Sequence, residues 1–117
     1  MKKILLFDPV LLLASSGCNL FNSEQDPRDV SVSEAKKLGD GAYVRIIGAI
    51  EEYLFGEWYT LKDNTGTIII EIESEEWKRS GINPASLTFP VRFEIIGEID
   101  KEFSLKTVVE VESLKKL

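Results

Sequence analysis

The sequence predicts an all-β fold, a small closed barrel of five strands with two short helices. Three observations carry this. Apolar side chains recur at every second position through five segments, the period of a strand with one face buried. The segments fall as three, then a helical stretch, then two. Residues 59–72, YTLKDNTGTIIIEI, place the alternation on both sides of a four-residue turn, which encodes a β-hairpin.

Lys2 and Lys3 open the chain, followed by apolar runs at residues 4–7 and 10–14 and then Ser15, Ser16 and Gly17 before Cys18. This is the pattern of a secretory leader over residues 1–17. Asp8 and Pro9 interrupt it, and it falls short of the roughly twenty apolar residues that a spanning helix needs. Small residues ahead of a lone cysteine resemble a bacterial lipobox, which implies that Cys18 is acylated and becomes the mature N-terminus. An ordinary secreted protein with an incidental cysteine is the other reading. Asn19 after the cysteine resembles lipoproteins sorted to the outer membrane, so the expected address is the periplasmic face of a membrane. Residues 18–30 are mostly polar and read as a flexible tether, spanning about 20 Å as a random coil.

The folded domain is expected over residues 31–117. Ser31 with Glu34 forms a capping-box pattern, so a short helix opens the domain and Gly39 ends its turn. Residues 42–54 form the first strand, with Val44, Ile46, Gly48 and Ile50 inward. Gly48 there implies sharp coiling or a bulge. The second strand is residues 58–63 with Tyr59 and Leu61 inward. Asn64, Thr65 and Gly66 suit a turn, and residues 67–72 form the third strand with Ile68, Ile70 and Ile72 inside. Ser74 is expected to cap a helix starting with Glu75 and Glu76, holding Trp77 and ending at Gly81. Residues 91–100 form the fourth strand, with Val91, Phe93, Ile95 and Gly97 inward. Lys101 and Glu102 make a tight connection into a last strand over residues 103–114, with Val109, Val111 and Leu114 inside. Three strands, a helix and two strands in under ninety residues is the element order of an OB-fold barrel.

Composition removes whole classes of chemistry. The 117 residues include no histidine and one cysteine, so Ser-His and Cys-His catalysis, histidine zinc sites and an intramolecular disulfide are excluded. Net charge is −6, and loss of Lys2, Lys3 and Asp8 with the leader leaves 12 basic against 19 acidic residues, a mature charge of −7. Such a surface repels polyanions. No constellation spells out a reaction, and neither enzyme activity nor a cofactor is expected.

The run AYVRIIGAIEEYLFGEWYTLKDNTGTIIIEI, with Trp77, Gly81, Pro84 and the segment IIGEIDKEF, resembles the bacterial OB-fold family of exported proteins, the YgiW/YdeI stress-tolerance type. The resemblance spans residues 32–114. It implies a periplasmic, non-enzymatic role in envelope stress. A lipidated Cys18 departs from that family's soluble pattern.

OB-folds usually bind across the outer face of strands two and three and the adjoining loops. That face is expected to carry Arg45, Ile47, Trp58, Thr60, Lys62, Ile69 and Glu71, with Arg45, Trp58, Lys62 and Ile69 as the candidate ligand contacts. Trp58 offers a stacking platform, or else packs under the loop carrying Leu54 and Phe55. Glu51, Glu52, Glu57, Asp100 and Glu102 form a candidate acidic rim for a hard cation, or else a solvated charged edge. Asp63 to Gly66 lacks the bidentate glutamate of a calcium loop and reads as a turn. The expected function is a non-catalytic envelope binding module for a small ligand, glycan, cation or protein partner, held to the membrane by its lipid. The alternative is a nucleic-acid-binding OB domain, which two cations countered by Glu71 serve poorly.

Overall fold

The computed structural model of the protein describes residues 26–101 and 106–117. Alternation builds the barrel as expected. Strand β1 (Arg28–Asp29) precedes helix α1 (Val32–Ala35), and β2 (Tyr43–Phe55), β3 (Trp58–Asp63) and β4 (Gly66–Glu71) follow. Helix α2 (Ser74–Ser80) leads through a 3₁₀ turn (Pro84–Ser86) to β5 (Val91–Asp100) and β6 (Val108–Lys116). Strands pair in the order β2-β3-β4-β6-β5, and β5 pairs back with β2 to close the ring. The β4–β6 pair is parallel, Ile70 opposite Val109, while the other barrel pairs are antiparallel. This is the five-stranded OB-fold barrel that the sequence predicts, closed by the β2–β5 pairing and by a short β4–β6 pairing over Ile69–Glu71.

Val44, Tyr59, Ile70, Phe93 and Val109, one from each barrel strand, meet in a single buried cluster. Trp77 and Leu114 join it. The outward partners in β4 and β5 are polar or half-buried, so the pleat separates core from surface there, whereas β2 exposes Ile47 and, past Ile50, Tyr53, Leu54 and Phe55.

The two inward glycines serve different ends. Gly48 pairs regularly with Phe93, and a Cβ on it would lie 2.7 Å from the Lys62 carbonyl oxygen, so it permits β3 to cross closely. The register shifts of β2 against β3 lie beyond it, between Ile50 and Glu52 and between Tyr53 and Phe55. Gly97 sits at a shift itself, between Ile96 and Gly97 against β6.

Three local expectations change. Residues 28 and 29, read from the sequence as tether, add a short parallel strand to β2, and the Val30 amide donates to the Arg45 carbonyl at 3.0 Å. Helix α2 is capped by Glu73 rather than Ser74, with no side-chain cap bond. The Glu76 and Trp77 amides already bond the Glu73 carbonyl, and burial of Trp77 sets that helical phase. Strand β6 begins at Val108 rather than 103, because its pairing with β5 starts where β5 ends, Asp100 opposite Val108. Phe103 lies outside the described residues. The capping box on α1 is present in both directions, Ser31 Oγ accepting from the Glu34 amide and Glu34 Oε1 from the Ser31 amide. Among the described residues no helix is long and apolar enough to cross a membrane.

Candidate functional site

The outer face of β3 and β4 is set by register. Trp58 stands opposite Glu71, Thr60 opposite Ile69 and Lys62 opposite Thr67, so Trp58 and Lys62 share the outer face of β3 with Ile69 beside Thr60 between them on β4. The Trp58 ring packs on Phe55, centroids 5.6 Å apart at 34°. Arg45 is not among them. Phe55 pairs with Trp58, and Arg45 lies ten residues back along β2, about 30 Å at the usual rise of an extended strand. There its Nε donates to Glu94 at 2.8 Å and its Nη1 to Asp29 at 2.9 Å. Those bonds tie β1 and β5 to β2 and occupy the guanidinium.

Beside Lys62 and Ile69, where β4 meets the β5–β6 connection, lies an open groove of about 410 Å³ lined by Lys36, Thr67, Ile68, Ile69, Lys106 and Thr107. Lys36 comes from the end of α1. Its position follows from the docking of that helix on the β3–β4 turn, where the Val32 amide donates to Asp63 Oδ2 at 2.9 Å and the Ser33 amide to Thr65 Oγ1 at 3.0 Å. Two ammonium groups, two hydroxyls and an isoleucine face suit a ligand with a negative or hydroxylated end and an apolar body.

The carboxylates gather differently from the expected rim. Glu51 and Glu52 are exposed on β2, and Glu102 lies outside the described residues. Glu57, Glu71 and Glu73 place carboxylate oxygens within 4.8 Å of one another. Further along the same face Glu71 stands beside Glu110, and Glu110 beside Glu98, in a row across β4, β6 and β5. Burial raises the Glu71 carboxyl above its ordinary value, and Glu57, Glu73 and Asp100 raise it further. Burial, a hydrogen bond with Asp100 and the charges of Asp100, Glu71 and Glu98 push Glu110 up to about 7. Glu57 and Asp100, two members of the expected rim, are thus linked through Glu71. Glu73, Glu98 and Glu110 were missed as members. The outward phase of Glu98 and Glu110 was readable in their strands, but their adjacency to Glu71 follows only from closure of β6 onto β4 and β5, while Glu73 caps α2 just past the end of β4.

Cys18, the expected lipidation residue, lies outside the described residues.

A family model described as "Bacterial OB fold (BOF) protein" matches residues 16–116. Protein YgiW of Escherichia coli strain K12 is 30% identical over 87 residues, 74% of this chain and 62% of that protein, so the chain spans less than two thirds of that relative. An uncharacterized protein of Haemophilus influenzae is 27% identical over 124 residues, 99% of this chain and 98% of its own length. Among solved structures, that of YgiW from E. coli superposes with a TM-score of 0.64 at 29% identity, covering 77% of this chain and 90% of that one. A chain of the Stn1–Ten1 complex of S. pombe superposes at 0.58 with 13% identity, covering 78% of this chain and 76% of that one, a likeness of fold alone.

Proposed function

The chain belongs to the bacterial OB-fold (BOF) family, and from that premise we propose that it is a non-catalytic binding module of the bacterial envelope. Its proposed site is the groove between α1, β4 and the β5–β6 connection. The observation that carries this reading is the concentration of Lys36, Lys106, Thr67 and Thr107 around the Ile69 face, on a protein of net charge −6. Cations held in a concave, partly apolar setting on an acidic surface favour a small ligand with an anionic or hydroxylated group, such as a glycan fragment.

An address in the periplasm on a Cys18 lipid, with the outer membrane favoured, and a part in envelope stress tolerance belong to the same proposal. Their support is the leader pattern ending at Ser16-Gly17-Cys18 and the likeness to YgiW. Two or more acyl chains at about 0.8 kcal/mol per buried CH₂ would hold the domain at a bilayer. Incorporation of labelled palmitate that Cys18→Ser leaves intact would exclude the anchor.

The second reading, a nucleic-acid-binding domain, draws on the OB-fold barrel itself, a fold that binds oligonucleotides in some proteins. The row Glu71, Glu110 and Glu98 lies against the same barrel face and opposes a phosphate backbone. NMR titration with a glycan fragment, a divalent cation and a single-stranded oligonucleotide separates these readings. The proposed site predicts saturable shifts at Thr67, Ile69 and Thr107 with the glycan, weakened by Lys36→Ala. Shifts with the oligonucleotide alone, falling steeply with salt, would replace it by the second reading.

A further inference from the structure

A second concavity lies at the opposite end of β3 from the lysine groove. It is a cleft of about 310 Å³ between the β2–β3 hairpin and the loop before β5, lined by Tyr53, Gly56, Tyr59, Pro84, Ala85 and Phe89. We propose that this cleft is a binding site for a small quaternary ammonium ion, held against its aromatic walls.

The walls are rings at steep angles. Tyr53 and Tyr59 have centroids 5.3 Å apart at 58°, and Tyr59 and Phe89 6.1 Å apart at 76°. Such rings present both faces and edges around one volume, and the negative faces attract a cation within about 6 Å of the centroid. Tyr53 is held in place by its own hydroxyl, which donates to the Gly56 carbonyl at 3.0 Å. Half of Tyr53 nonetheless remains exposed, at 51%, although it packs on the buried Tyr59. An incoming ligand would cover that surface.

Charge selects the class of ligand. None of the six lining residues is charged. Glu57 follows Gly56 directly, and its carboxylate adds to the burial that raises the Tyr59 phenol, with the Trp77 indole opposing that rise, so its negative field reaches the cleft wall. Glu57 in turn sits with Glu71 and Glu73. The field at this end is therefore negative, while the walls are apolar. A hard metal ion needs several oxygens at once, which rings do not supply. A primary ammonium carries three donors that must each keep an acceptor on leaving water, and ring faces supply none. A quaternary ammonium has no donors to satisfy, sheds water readily and fits both the field and the walls.

The test is an NMR titration of the full-length chain with choline chloride, alongside its uncharged isostere 3,3-dimethylbutanol and sodium chloride as controls. Choline is expected to shift Gly56, Tyr59 and Ala85 saturably and to bind at least about tenfold tighter than the isostere. Tyr53→Leu and Glu57→Gln should each weaken choline binding several-fold with the thermal midpoint retained. Equal affinity for the uncharged isostere, shifts reproduced by sodium chloride, or no saturable shift at millimolar choline would overturn the assignment. Thr67, Ile69 and Thr107 should stay unmoved, so failure here leaves the lysine groove to stand or fall separately.

Discussion

Glu71 and Glu110 stand opposite each other across the parallel β4–β6 pair, so closing the barrel brings two carboxylates side by side. Like charges directly opposite in a sheet oppose its pairing. Glu98 flanks Glu110 from β5, and Asp100 shares a hydrogen bond with it. Closure of the core therefore proceeds against electrostatic repulsion on the outer surface.

Stability should consequently fall as the pH rises toward and past neutrality. The folded state holds the Glu110 proton up to about pH 7, whereas the ordinary value is 4.5, so the folded chain binds more protons than the unfolded one between those limits. Its stabilising contribution is complete below 4.5 and is lost as pH rises through about 7. Glu110→Gln should raise the denaturation midpoint at pH 8, by about 1 kcal/mol once solvent screening is discounted. Near pH 4 it should change little. Urea denaturation across that range checks this, and an equally steep pH dependence in the variant refutes it.

The second prediction concerns the crossing of β5 and β6. A Cβ at Gly97 would run into the Glu110 carbonyl oxygen and lie 2.9 Å from its carbon. Backbone must then move, so Gly97→Ala should cost at least the ~1 to 3 kcal/mol typical of overpacking. Gly39→Ala, with nothing within 4 Å of the added carbon, serves as control. Equal midpoints for the two variants would show that the crossing has slack.

Much of the barrel was legible because side-chain period and turn chemistry are local. The second and fourth strands fall at 58–63 and 91–100 as their alternation predicts, and Ser31 with Glu34 makes the expected cap. The start of β6 was not legible, since residues 103–107 continue a plausible pattern and only the end of β5 decides where pairing begins. Arg45 shows the same limit at the site. Its outward phase was readable, but its ion pair with Glu94 depends on the β2–β5 register and its ion pair with Asp29 on β1, which two residues in a polar stretch do not announce. The lysine groove likewise joins Lys36, Thr67 and Lys106 from three distant segments.

A third prediction rests on Asp63. Burial alone would raise its pKa, but bonds from the Thr65 hydroxyl and the Val32, Thr65 and Gly66 amides outweigh burial and lower it. The Val32 bond joins α1 to the β3–β4 turn, and the others close the turn itself. The contribution is present above the ordinary value of 3.8 and is lost as pH falls through the lower folded value. Asp63→Ala should cost about 1 to 3 kcal/mol at neutral pH, and progressively less as the pH falls below the ordinary value. Hydrogen exchange at Val32 and Thr65 should accelerate in the variant. Unchanged exchange at both amides would mean that the carboxylate does not hold the helix.

Trp77 provides the strongest test of the packing. It is 4% exposed, and its ring meets Tyr59 edge-on at 5.7 Å and Phe93 at 6.1 Å. These contacts seat α2 over one end of the barrel and join the helix to strands β3 and β5. The indole Nε1 points toward the Tyr59 hydroxyl but falls outside hydrogen-bond geometry, so the side chain acts by volume and ring contact. Trp77→Ala should destabilise the domain by ~3 to 5 kcal/mol, the cost of an aromatic-sized cavity. Trp77→Phe should cost distinctly less, since it keeps an edge-on ring and forfeits no well-formed hydrogen bond. Denaturant midpoints of the two variants decide between a packing role and a polar one. A phenylalanine variant as unstable as the alanine variant would show that the indole nitrogen matters after all, and an unchanged alanine variant would mean that α2 is dispensable to the core.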